Sequence, residues 1–178
     1  MPAITHTFDD AVAYEQFMGR WSRPLAKQFL GWLSAPNNVQ WLDVGCGTGI
    51  FTKLILDMCS PAMVVGIDCA DAQIQHARQS SVSERADFRI ADAQLLPFSD
   101  VSFDVVASAL TLNFVPDRSR ALVEMRRVAR PGGLIAGCVW DFAAELSPSW
   151  PVRVGMTRVG MKAPPVTGFE DSSLEAVM

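Results

Sequence analysis

At 178 residues the chain has the length of one domain, long enough to bury about two-thirds of its unfolded surface. Apolar residues make up 49% and charged residues 19%, a balance that excludes intrinsic disorder and leans toward a roomy pocket or an interface. The formal charge is −4 with Lys and Arg dispersed, so the clustered cations that a nucleic-acid backbone demands are missing and no nucleic-acid partner is expected.

The chain opens on MPAITHTFDD, which has no basic start followed by an apolar run, so no signal peptide is expected. No apolar run approaches the roughly 18 residues of a membrane span, and the expectation is a soluble, cytoplasmic protein with no membrane partner. Two helix-like segments follow. Phe8, Val12, Tyr14, Phe17 and Met18 are loosely periodic, whereas Leu25, Phe29, Leu30 and Leu33 recur at helical spacing after Pro24 and stop at Pro36-Asn37-Asn38. The chain then alternates. Val39–Val44 is a short apolar run that meets a glycine cluster, followed by a helix with Phe51, Leu54, Ile55 and Met58 on one face. A second run, Met63–Ile67, precedes a helix for which Asp71 is the expected N-cap. Phe88–Ala91 and Phe103–Leu110 are the third and fourth runs. Asp117 caps a helix carrying Leu122, Met125 and Val128, which Pro131-Gly132-Gly133 ends before a fifth strand at Leu134–Trp140.

Apolar runs alternating with amphipathic helices imply an α/β fold: a doubly wound, Rossmann-like parallel sheet with helices on both faces. Its carboxyl edge is where ligands bind. The four cysteines, Cys46, Cys59, Cys69 and Cys138, show no CxxC spacing and lie apart from both histidines. They read as reduced thiols, and no metal site is expected.

The informative segment is Asp43-Val44-Gly45-Cys46-Gly47-Thr48-Gly49, at the join of the first strand and the next helix. Glycines there let the backbone turn tightly and let a ligand touch the main chain. A dinucleotide fingerprint would put its third glycine at position 50, which is Ile50; here it is Gly49, and an acid stands two residues before Gly45. A helix N-terminus built for a pyrophosphate has no use for that carboxylate, whereas a ligand with an ammonium and a sulfonium tolerates it.

DVGCGTG resembles the first motif of the class I S-adenosylmethionine-dependent methyltransferases, nearest to the ubiquinone/menaquinone-type and related small-molecule enzymes. Val65-Gly66-Ile67-Asp68, Asp92-Ala93-Gln94 with Leu96-Pro97-Phe98, Phe103–Val106 with Asn113–Asp117, and Arg130–Gly133 resemble that family's later motifs in order, over residues 40–140. The resemblance implies that S-adenosylmethionine binds, with S-adenosylhomocysteine as product, and that the partner is a small-molecule methyl acceptor. It assigns Asp68 to the ribose hydroxyls, Asp92 to the adenine amino group, Asp43, Gly45, Gly47 and Gly49 to the loop, and Cys46, Cys69, Ala93 and Ala109 to its surroundings.

The resemblance also implies that N-terminal helices close over the cofactor. Tyr14, Met18, Arg20 or Trp21 then line the pocket, with Arg20 near the methionine carboxylate, the alternative being ordinary packing of an amphipathic helix. Asn113 and Asp141 fall near the carboxyl edge, but no general base is assigned, and His6 and His76 lie away from it. Arg118, Arg120, Arg126, Arg127 and Arg130 are expected to form a solvated face with Glu124.

The expected organisation is one domain over 1–178: a helical cap at 1–36, a core at 39–140 and a tail at 141–178 too short for the family's C-terminal antiparallel hairpin. Val152–Met161 is ambiguous between helix and strand, and Asp171 or Ser172 caps a last helix. Either the chain is truncated, or its fifth strand is left open and covered by the tail or by a second copy in a homo-oligomer. Methyl transfer is the leading reading. Cofactor binding without catalysis is the alternative, and Ile50 disfavours a nicotinamide oxidoreductase.

Overall fold

The computed structural model describes residues 11–141 and 150–161. Five apolar runs become strands: β1 (Gln40–Val44), β2 (Met63–Asp68), β3 (Asp87–Ile90), β4 (Phe103–Ala109) and β5 (Ala129–Cys138). They pair in the order β3-β2-β1-β4-β5, every pair parallel. The reversal of winding falls between β1 and β4, so the crevice beyond β1 is the switch point of the fold. Helices α1 (Ala11–Leu33), α2 (Ile50–Met58), α3 (Asp71–Gln79), α4 (Arg118–Val128) and α5 (Trp150–Arg158) complete the described chain.

Alternation along the strands divides the interior into two layers. Trp41, Val64, Phe88 and Val105 face one way and pack with Phe29, Ile55 and Ile74 from α1, α2 and α3. Leu42, Val44, Val65, Ile67 and Val106 face the other way and pack with Ala121, Met125 and Val128 of α4. Both faces of the central strands are covered, which is why they read as continuous apolar runs. At the edge, β5 pairs with β4 alone among the described residues, and Ile135 is exposed.

Three details depart from the sequence reading, and one that it left open is decided. The N-terminal segments form one helix with Pro24 inside it; the lost donor costs α1 one hydrogen bond, and burial of Ala26, Phe29 and Leu30 holds the helix together across it. Ala70, not Asp71, is the residue before α3, and Asp71 lies in the first helical turn, accepting from Gln75. Pro131-Gly132-Gly133 lies within β5 rather than before it: the register with β4 shifts between Phe103 and Val105, a bulge around residues that cannot keep a regular ladder. The ambiguous stretch after residue 150 is helical as α5. The cap expected at Asp171 or Ser172 lies outside the described residues, as does His6.

The arginine face is also corrected. Glu124 is buried, and Arg127 binds both of its oxygens at 2.7 and 2.8 Å. Arg127 further donates to the carbonyls of Leu96 and Phe98 and to Asp100, while the Leu96 amide donates to Glu124. Arg130 instead pairs with Asp104. Periodicity on one helix cannot reveal this, because the partners come from the loop before β4. The Arg127 guanidinium and the Leu96 amide hold the Glu124 carboxyl down at about 2, with the arginine hydrogen bonds the larger cause. Its folded value lies below its unfolded one, so its contribution is complete above about pH 4.5 and is lost as pH falls toward 2. Arg127→Met should therefore lower unfolding free energy by about 2–4 kcal/mol at neutral pH, since it leaves a buried carboxylate unpaired. In urea titrations the gap from the unsubstituted chain should narrow below about pH 4.5; a gap independent of pH would contradict the pairing.

Candidate active site

Three carboxylates reach the carboxyl edge in strand order. Asp43 lies in β1, Asp68 ends β2, and Asp92 follows β3. The loop between β1 and α2 binds the end of β2, because Ile67 O accepts from both Gly45 N and Cys46 N at 2.8 Å. The Gly49 amide closes the loop onto Cys46 O, and Gly49 has a φ of 87° with the Phe88 ring 3.0 Å from where a Cβ would stand. Gly45 is more constrained still. Its missing Cβ would meet Thr111 at 2.1 Å, and the Thr111 hydroxyl instead donates to Gly45 O at 2.8 Å. Thr111 is delivered by Leu110, whose φ of 63° turns the chain sharply out of β4.

Asp43 is fully buried beneath this loop. One oxygen accepts from the Thr52 hydroxyl at 2.6 Å; the other, Oδ1, has no hydrogen-bond partner. Burial pushes its carboxyl up to about 7, against the Thr52 hydrogen bonds and helped by the nearby Asp68 charge. Asp68 accepts from the Gly47 amide at 3.0 Å and from the Ala70 amide at 2.9 Å. Burial raises its pKa too, with those amides opposing. Gly47 has open space around it: the nearest atom to an added Cβ is Gln73 Oε1 at 3.8 Å. The loop therefore presents two acids and an uncrowded backbone, and its Gly47 N–H already serves Asp68. A diphosphate would meet repulsion here, whereas a cationic ligand bearing hydroxyls meets acceptors.

The remaining sequence-derived positions are spread around this centre. Cys46 is buried in the loop and Cys69 is exposed next to Asp68; burial raises both thiols, with Asp43 and Asp68 adding to it at Cys46 and Asp68 and Asp92 at Cys69. Cys138, paired in register with Ala109, is pushed up to about 11 by burial. Asp92 is exposed and held by Gln94, and Ala93 packs against the α4 layer. Arg20 and Trp21 are exposed on α1, Met18 is half-buried, and Tyr14 lies in the helix. Asn113 is buried, donating to Trp140 O at 3.1 Å with its Oδ1 unpartnered, and Asp141 is half-buried. His76 is half-buried on α3.

Sequence reasoning missed Thr52, Ser108 and Thr111. The signal for Thr52 was available: it is a polar residue on the buried side of α2, three residues past Gly49. Ser108, whose hydroxyl donates to Val44 O at 2.8 Å, and Thr111 are placed by sheet pairing, which no local pattern reveals.

Comparison with known proteins gives the same reading of the fold. Residues 42–137 match the family model described as "Methyltransferase domain". The chain is 34% identical over 129 residues to the 27-O-demethylrifamycin SV methyltransferase of Amycolatopsis mediterranei, covering 70% of this chain and 46% of that one. Among solved structures, the 4+2 cyclase SpnF matches at 30% identity and TM-score 0.58, over 64% of this chain and 43% of that chain. A chain from the complex of the Haloferax volcanii Trm112 methyltransferase activator with a methyltransferase matches at TM-score 0.72 and 21% identity, over 96% of this chain and 77% of that one. This chain spans about half the length of the curated relatives it matches.

Because the folded Asp43 carboxyl sits near 7, above its unfolded value, the free protein should lose stability as pH rises from about 4 through 7 and regain none above. Asp43→Asn should flatten that slope and stabilise the free protein above pH 7 by a few kcal/mol at most. Thermal melts of both proteins from pH 5 to 8 check this, and parallel curves would contradict it.

Proposed function

The chain belongs to the methyltransferase domain family, and on that premise we propose that its glycine loop and strand-end acids hold S-adenosylmethionine and present the methyl group to a small-molecule acceptor. The observation that carries the reading is Asp43: a fully buried carboxylate whose Oδ1 has no partner, under a loop that is open at Gly47. Buried acceptors without donors are rare and costly, and this one fits the ammonium of the cofactor's methionine part.

Each acid then has one task. Asp43 attracts the ammonium, Asp68 accepts from the ribose hydroxyls while its amide partners keep it oriented, and Asp92 accepts from the adenine amino group. Gly45, Gly47 and Gly49 allow close approach of the backbone. Cys46, Cys69, Ala93 and Ala109 border the ligand, and Arg20 on α1 serves the methionine carboxylate. Enzymes of this family take the methyl group from S-adenosylmethionine, which supplies it already activated on a sulfonium. The protein's part is therefore alignment and exclusion of water rather than a reactive side chain. Neither Asn113 nor Asp141 is assigned as a base.

A second reading, cofactor binding without methyl transfer, has support in the match to a cyclase at 30% identity. Turnover of the methyl donor in the presence of acceptors separates the two. No described helix is long and apolar enough to cross a membrane. A cytoplasmic setting fits the four unpaired cysteines. The half-exposed outer strand β5 favours cover by a later segment of the protein or by a second copy. A strictly monomeric sedimentation profile with freely exchanging β5 amides would argue against any such cover.

Calorimetric titration should show binding of S-adenosylmethionine and S-adenosylhomocysteine and silence with NAD. Asp68→Ala should weaken the adenosyl ligands at least about tenfold, because two hydrogen bonds to a charged group are lost. Unchanged affinity in that variant would remove the ribose site from Asp68.

A further inference from the structure

The turn after β3 ties Asp92 into a hydrogen-bonded chain whose other members have no role so far. Asp92 and Leu95 form an isolated antiparallel bridge, and the Leu95 amide donates to Asp92 O at 3.0 Å. Inside the turn, the Gln94 amide nitrogen Nε2 donates to Asp92 Oδ1 at 2.9 Å and to Oδ2 at 3.0 Å. The Gln94 backbone N–H adds a third bond to Oδ1 at 2.8 Å. The other end of the same side chain faces α4, where Oε1 accepts from the Asp117 amide at 3.0 Å. Arg120 Nε donates to Gln94 O at 3.2 Å, and the Asp117 carboxylate caps α4 through the Arg120 amide at 2.9 Å.

The orientation of this amide is dictated by its neighbours. An ionised carboxylate only accepts and a backbone N–H only donates, so reversing the Gln94 amide would break both contacts. One side chain thus joins the acid at the exit of β3 to the helix that follows β4. Asp92 is otherwise exposed, and an exposed aspartate samples several rotamers that a ligand must restrict on binding.

We infer that Gln94 is the positioning residue for purine recognition: it fixes the Asp92 carboxylate in the orientation that accepts from a 6-amino group and so sets the preference for adenine over a 6-oxo purine. The inference rests on the cofactor reading above. A carboxylate offers about four acceptor positions, and Gln94 fills three, so one lone pair is left for the ligand. Removing the side-chain amide leaves Asp92 held at Oδ1 by the Gln94 backbone N–H alone. Its charge remains, and the restraint on its second oxygen is lost.

The test compares S-adenosylhomocysteine with S-inosylhomocysteine, which carries an oxygen in place of the 6-amino group, by calorimetric titration. The unsubstituted chain should prefer the adenosyl ligand by roughly tenfold or more. Gln94→Met keeps the length of the side chain and removes its donor and acceptor; the preference should shrink to within about threefold, through weaker binding of the adenosyl ligand alone. In an Asp92→Ala background Gln94→Met should have no further effect on the preference, which a merely structural role would not produce. Gln94→Ala serves as a second variant, with retained thermal unfolding as the check on folding for both. A preserved preference in both variants, or equal losses for both ligands, overturns the role of Gln94 while leaving the cofactor site intact. Failure of the unsubstituted chain to bind either ligand overturns the cofactor reading and this inference together.

Discussion

A carboxylate buried beneath a glycine loop, with a single hydroxyl partner, is the constraint around which this site is built. Asp43 stands in the central strand between β2 and β4 and is fully buried. Replacing it with an apolar residue would remove a cost that the free protein bears, and the fold carries that cost at its topological switch point, where ligands bind. The acid also sets the sign of the site. With Asp68 nearby, it makes the loop a poor host for phosphate and a good one for a cation, which separates this glycine cluster from the dinucleotide fingerprint it superficially resembles.

The same arrangement explains how few side chains are needed to hold the loop. Asp68 binds the Gly47 amide, Ile67 O binds the Gly45 and Cys46 amides, and Thr111 covers Gly45 from the exit of β4. These bonds come from the ends of β2 and β4, so the loop's shape depends on the sheet's order and not on the loop sequence alone. On the opposite flank the Glu124–Arg127 pair and Gln94 fasten the loop between β3 and β4 to α4. No helix lies in that connection, and a polar network takes its place.

The central strands were legible in the sequence because β1, β2 and β4 are largely buried on both faces, and the acids because Asp43 precedes a glycine cluster while Asp68 and Asp92 stand at or just past the ends of their runs. The order of motifs identified the family before any contact was known. Other features were not legible, for identifiable reasons. Pro24 looked like a helix start because local sequence cannot show that Ala26, Phe29 and Leu30, just beyond it, are buried in the layer that contains α2. Glu124 and Arg127 looked solvated because their partners lie about 30 residues upstream, at Leu96 and Phe98. The orphaned oxygen of Asp43 is a property of three-dimensional closure. The motif predicted an acid at that position and gave no indication that it would be wholly enclosed.

If Asp43 is the acceptor for the cofactor's ammonium, binding must drive its carboxyl from a value near 7 to well below it, and the proton must leave. The most direct measurement is titration with S-adenosylhomocysteine at pH 7 in two buffers of different ionisation enthalpy, which counts protons exchanged per ligand bound. The account predicts release of about half a proton by the unsubstituted chain and none by Asp43→Asn, with affinity rising from pH 6 to 8 only in the former. Binding with no proton release at pH 7, or with the same release in both proteins, would contradict it.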